Sequence, residues 1–89
     1  MMSKHSEQKA LKSVLAEMDR QDAKWGADRE HHPYVWSAIL GEEVGEFSQA
    51  ILHDDFGGTH ADTARAEMVQ VAAVALQIIE YYDRMGYPE

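Results

Sequence analysis

Residues 33–53 read PYVWSAILGEEVGEFSQAILH, and this stretch decides the fold. Trp36, Ile39, Leu40, Val44, Phe47 and Ile51 recur at three- and four-residue spacing. That is the period of an α-helix, not the alternation of a half-buried strand. Pro33 suits the first helical position, where a missing N–H has no partner to lose, so His31-His32-Pro33 marks the helix start. The predicted helix continues to about His53, and Asp54-Asp55-Phe56-Gly57-Gly58 is expected as a loop.

Outward from this segment the chain keeps the same period. Leu11, Val14, Leu15 and Met18 predict a first helix from about Glu7 to Lys24, closed by Gly26. A third helix is expected from Ala61 or Asp62 to Met85, where Gly86 is a natural stop and Pro88 prevents continuation. No segment alternates in a β pattern. The expectation is a single all-α domain over residues 1–89, a bundle of three main helices. The third helix is apolar almost all round between Met68 and Ile79. A helix of that kind is buried on several sides. Three helices can hardly surround it, so a bundle completed by oligomerisation, as a homodimer or homotetramer, is expected. If alanine merely dilutes the stripe, one buried face suffices.

Composition narrows the function. The chain has 89 residues and a formal net charge of −8. A nucleic-acid polymer or an anionic membrane needs a basic patch, so neither is expected as the main partner. An acidic protein that handles phosphates does so through bound cations. There is no cysteine, which excludes disulfides, thiolate catalysis and zinc–sulfur sites. The longest apolar stretch, Met68 to Ile79, is shorter than the roughly 20 residues of a membrane span. Met1 to Leu15 carries no signal-peptide pattern. The reading is a cytoplasmic protein.

The carboxylates are placed against the apolar pattern. At about 100° per residue with Trp36 as zero, Phe47 falls near 20°, Leu40 near 40° and Ile51 near 60°. Glu43 falls at about −20°, inside the stripe, with Glu46 at about −80° on its edge and Glu42 at about −120°. Glu43 and Glu46, three residues apart, are neighbours on the helix surface. A carboxylate on a buried stripe is costly, and a second beside it opposes ionisation further. Glu67 and Gln70 repeat the same three-residue spacing on the third helix. If the second and third helices pack antiparallel, the two pairs face each other. Three carboxylates and an amide oxygen form an oxygen-rich set that selects Mg²⁺ or Mn²⁺. Facing helices of a bundle are a known way to assemble such a set. The alternative is a solvated acidic face, but no Lys or Arg lies between Val35 and Arg65 to pair with it. Gly41 and Gly45 lie on one side of this helix and admit close approach of a phosphate, a backbone or another helix.

With Glu42-Glu43-Val44-Gly45-Glu46 on one helix and Glu67-Met68-Val69-Gln70 on the next, the sequence resembles the MazG-like nucleotide pyrophosphohydrolases of the all-α NTP pyrophosphatase superfamily. That family's signature is E-E-x-x-E followed by E-x-x-D. Gln21-Asp22-Ala23-Lys24-Trp25-Gly26 and Val71-Ala72-Ala73-Val74-Ala75 add to the resemblance, which spans roughly Arg20 to Arg84. The departure is Gln70, where the family has aspartate. An amide oxygen can still ligate a hard cation but brings no charge. The resemblance implies hydrolysis of a nucleoside or deoxynucleoside triphosphate to the monophosphate and pyrophosphate. Glu43, Glu46, Glu67 and Gln70 would be metal ligands, and Glu42, Glu43 and Glu46 the catalytic set. Glu42 is the candidate to orient or deprotonate water. The alternative class is a non-catalytic helical module that binds metal or nucleotide, or that pairs with a partner's basic surface.

Other residues have two readings each. Lys24 and Trp25 are candidate substrate-binding residues, for phosphate and base; the ordinary fates are a solvated lysine and a core-anchoring tryptophan. His31 and His32 suit capping or solvent better than a metal pair, because adjacent residues do not share a helix face. Asp54 and Asp55 lack the alternating ligands of a calcium loop. Arg65 and Arg84 are possible phosphate contacts or ordinary surface ion pairs. Tyr81 and Asp83 lie about four turns beyond Glu67, so they reach the same site only along an extended substrate or from another subunit.

Overall fold

A computed structural model describes residues 3–88 and is all-α. After a short 3-10 turn at Lys4–Glu7, α1 runs Lys9–Trp25, α2 Pro33–Phe56 and α3 Ala64–Arg84. Among the described residues there is no strand, and no helix is long and apolar enough to cross a membrane.

The helix ends follow local chemistry. Gly26, at φ 94°, closes α1 with its N–H on the Asp22 carbonyl. Pro33 opens α2, and His32 caps it by accepting the Tyr34 N–H at 3.1 Å, so the capping role of the histidine pair holds for His32. The expected loop at 54–58 is shorter than predicted. Asp54, Asp55 and Phe56 are helical, because nothing before Gly57 breaks the hydrogen-bond ladder. Gly57, at φ 87°, donates to the His53 carbonyl and ends the helix. The turn that follows delays α3 to Ala64. Asp62, at φ 66°, donates its N–H to Asp54 Oδ1 at 2.6 Å, and the His60 N–H donates to His53 Nδ1 at 3.0 Å. The His53 and His60 rings stack with centroids 5.1 Å apart. A Cβ at Gly58 would meet the His53 ring at 2.5 Å, so only glycine lets the turn pass so close.

The helix α3 is central. Both α1 and α2 pack on it, and among the described residues α1 and α2 do not pack on each other. Glu43 of α2 lies beside Glu67 of α3, and Trp36 lies 6.3 Å from Tyr81, so α2 and α3 are antiparallel. Ser13 meets Arg65 near the start of α3, and Asp22 borders Gln77 near its end, so α1 and α3 run parallel.

The buried apolar residues are Met18, Trp36, Ala50, Ala73 and Val74. This narrows the predicted stripes: Leu15, Val44 and Ile51 are exposed at their outer edges. Two helices cover α3 on its Ala73–Val74–Gln77 side. Many of the large exposed apolar side chains belong to α2 rather than α3.

Candidate metal centre

The sequence alone placed Glu43 on an apolar helix stripe. In the structure Glu43 and Glu46 of α2 and Glu67 of α3 each offer a carboxylate oxygen, all within 4.8 Å of one another. The i, i+3 spacing brings the two α2 carboxylates together. The antiparallel run out of the 57–63 turn delivers Glu67 from the first turn of α3.

The cluster is rich in acid, with the Arg20 charge acting on Glu43 as a partial offset. Glu43 Oε2 and Glu67 Oε2 are buried and have no hydrogen-bond partner. Burial pushes the Glu43 carboxyl above the ordinary carboxylate range, and the charges of Glu46, Glu67, Glu42 and Glu17 push it the same way. Glu67 is raised by burial first, then by the charge of Glu46 and a shared hydrogen bond with it, against a smaller opposite pull from His60. A buried carboxylate oxygen with no donor is costly. A hard divalent cation would offset that cost, and an all-oxygen donor set is the kind that Mg²⁺ or Mn²⁺ favours.

The other predicted residues fall in different places. Glu42 is exposed beside Glu43 and acts on it through charge rather than as a member of the cluster. Gln70 is half-buried and borders an open groove between α1 and α3, with Glu17, Arg20 and Arg65. Lys24 and Trp25 lie at the far end of α1, about 12 Å along the axis from the level of Glu17. The core-anchor reading of Trp25 is overturned. Its side chain is 62% exposed, with Lys24 Nζ 4.8 Å over the ring, because Gly26 turns the chain away immediately after it. Trp36, 3% exposed, is the anchor. Arg84 makes the expected surface ion pair, with Asp28 at 3.4 Å. Arg65 instead donates to Ser13 Oγ at 3.0 Å.

Sequence reasoning missed Glu17. It sits on α1, largely buried, and its charge acts on Glu43. Arg20 grips it through two hydrogen bonds of 2.9 and 2.6 Å, and Gln21 adds a third at 2.8 Å. The Arg20 contact holds the Glu17 carboxyl below its ordinary range. The signal was present: Glu17 is three residues after Val14 and four before the buried Gln21, on the edge of the α1 stripe. Its i, i+3 arginine made it look like an ordinary helix ion pair. No family model, no curated protein and no solved structure matches the chain.

Proposed function

We propose that the chain is a Mg²⁺- or Mn²⁺-dependent nucleotide pyrophosphohydrolase that cleaves (d)NTPs to (d)NMP and pyrophosphate. The observation that carries this reading is the convergence of Glu43, Glu46 and Glu67 with two buried carboxylate oxygens that no protein donor satisfies. The resemblance of the same residues to the E-E-x-x-E and E-x-x-D helices points the same way, and supplies the substrate class.

Glu43, Glu46 and Glu67 would hold the divalent ion, with Gln70 as the fourth oxygen donor if its amide turns from the groove. When bound, such an ion neutralises charge on phosphate oxygens and lowers the cost of breaking the phosphoanhydride bond. The carboxyl groups of Glu43 and Glu67 are raised above the ordinary range by burial and neighbouring acids, and ligation would take the ionised form, so affinity should rise with pH. Glu42, exposed beside the cluster, would be the residue to orient or deprotonate the attacking water. Arg20 and Arg65 line the groove beside Gln70 and offer cationic groups to a polyphosphate. The protein would act as a cytoplasmic homo-oligomer.

The test is pyrophosphate release from a panel of NTPs and dNTPs with Mg²⁺, Mn²⁺ or EDTA. Release of one pyrophosphate per nucleotide, abolished by EDTA, is the expected result. No release by folded protein, together with metal-dependent thermal stabilisation, would overturn catalysis and leave a metal- or nucleotide-binding module. Absence of both would remove the metal centre.

A further inference from the structure

An open groove of about 390 Å³ runs between α1 and the first two turns of α3, a size at which small-molecule sites begin. Ser13, Glu17 and Arg20 line it from α1, and Arg65, Ala66 and Gln70 from α3. Two of the chain's eight Lys and Arg therefore meet in one groove, against a single carboxylate. On a chain of net charge −8 that is a local reversal of sign. Ala66 also brings in the first turn of α3, which no side chain caps, and a helix start carries partial positive charge.

Both guanidiniums are held from one face of α1. Ser13 and Glu17 are four residues apart, so they are neighbours one turn apart on that helix. Arg65 reaches across from α3 and donates through Nη2 to Ser13 Oγ at 3.0 Å. Arg20 donates to the Glu17 carboxylate through Nε at 2.9 Å and Nη2 at 2.6 Å. Gln21 donates to the same carboxylate at 2.8 Å, so Glu17 is itself fixed. The Glu17 side chain is 13% exposed and that of Arg20 54%: the acid is the anchor and the guanidinium is what the pair presents. A guanidinium has five N–H donors, so each arginine keeps donors for a ligand. Among the described residues no carboxylate pairs with Arg65.

We propose that Glu17 and Ser13 are positioning residues, which hold Arg20 and Arg65 as the two sides of a clamp for the terminal phosphates of a polyphosphate chain. Planar guanidinium forks match phosphate oxygens, and forks on facing helices can engage two phosphates at once. Naming the occupant as the β,γ end of a nucleoside triphosphate, and then the pyrophosphate product, rests on the pyrophosphohydrolase reading. The fixing of the two arginines does not. An acid inside an anion groove repels the ligand by its own charge, so Glu17 helps binding there only through the arginine it holds.

Calorimetric titration of the full chain with inorganic pyrophosphate, in Mg²⁺ and in EDTA, tests the clamp. Arg20→Gln and Arg65→Gln should each weaken binding about tenfold or more. Glu17→Gln is decided by sign. Once its anchor is gone, Arg20 must be ordered by the ligand, and binding should weaken about three- to tenfold. An acid acting by charge alone would instead give tighter binding when neutralised. Ser13→Ala changes no charge and suits a helix, so it keeps the test open if Glu17→Gln fails to fold by circular dichroism; about threefold weaker binding is expected. Unchanged or tighter binding in either folded variant would overturn the proposal, as would folded wild-type protein that binds no pyrophosphate in either condition. Pyrophosphate binding with this pattern of variants but no cleavage of any NTP would remove the catalytic reading and leave the clamp standing.

Discussion

The α2–α3 pair carries polar groups into its packing at two places, and they are handled in opposite ways. Toward the end of α3, Arg29 reaches in from the 26–32 connection. It donates to Gln77 Oε1 at 3.1 Å and to the Gly26 carbonyl at 2.9 Å, and its guanidinium stacks 5.9 Å from Trp36. Arg84 donates to the Arg29 carbonyl at 3.1 Å and pairs with Asp28. What remains without a partner there are two neutral donors, Trp36 Nε1 and Gln77 Nε2, beside a cleft of about 20 Å³, a volume that suits one water molecule. At the start of α3 the unsatisfied atoms are carboxylate oxygens, surrounded by further acids. The first arrangement is met largely by the chain's own arginines, with room left for one water. The second keeps two buried carboxylate oxygens without a donor, and that asymmetry is what marks it as the candidate site.

Four experiments would break or sharpen this contrast. Glu43→Gln has the largest expected effect. Pyrophosphate release should fall by about 10²-fold or more, while the metal-free protein keeps its helicity and melts no lower, since a buried repulsion is relieved. Full activity in this variant would take Glu43 out of the centre.

Arg29→Ala probes the other place. Removing the guanidinium leaves Gln77 Oε1 without its donor and uncovers the Trp36 ring, at a cost of about 1–3 kcal/mol in chemical denaturation. Stabilisation by Mg²⁺ should be unchanged. Loss of the metal response would mean that the two clusters act as one network.

The pH dependence is subtler. Glu43 and Glu67 both have folded-state pKa values raised above the reference of 4.5. The folded state therefore binds more protons, and stability falls as pH rises from about 4.5 through the raised values. Without metal, the melting temperature should decline over that interval, and Glu43→Gln should flatten the decline. With saturating Mg²⁺ the slope should diminish or reverse, because ligation takes the ionised form. A metal-free profile that rises over the same window would contradict the cause assigned to the shifts.

The smallest effect expected is that of Gln70→Asp. Sharper Mg²⁺ dependence in an activity titration would place residue 70 among the ligands. An unchanged titration would leave it in the groove with Glu17 and Arg65.

Much of this was legible along the chain. The three helices, the stop at Gly26, the start at Pro33 and the placing of Glu43 and Glu46 side by side on one helix all follow from helical period and residue-specific backbone preference. Trp36 was legible on the α2 stripe, whereas Trp25, at a helix end, was expected as a core anchor and is exposed. Only the turn at Gly26 leaves one on the surface and the other beneath Arg29 and Tyr81. Glu17 was hidden because its contact with Arg20 is a complete local explanation, and its effect on Glu43 crosses between helices that do not otherwise pack. The turn at 57–63 was misjudged in length because His53–His60 and Asp54–Asp62 bonds join residues seven and eight apart, beyond any helical spacing.

Periodicity is a property of a few consecutive residues, so the order of amino acids sets which face of each helix is apolar and which carboxylates share it. How far one helix slides and turns against another depends on side-chain packing and turn geometry summed over distant residues. The convergence of three carboxylates within 4.8 Å, the central place of α3 and the bare outer face of α2 were therefore decided only when the helices came together.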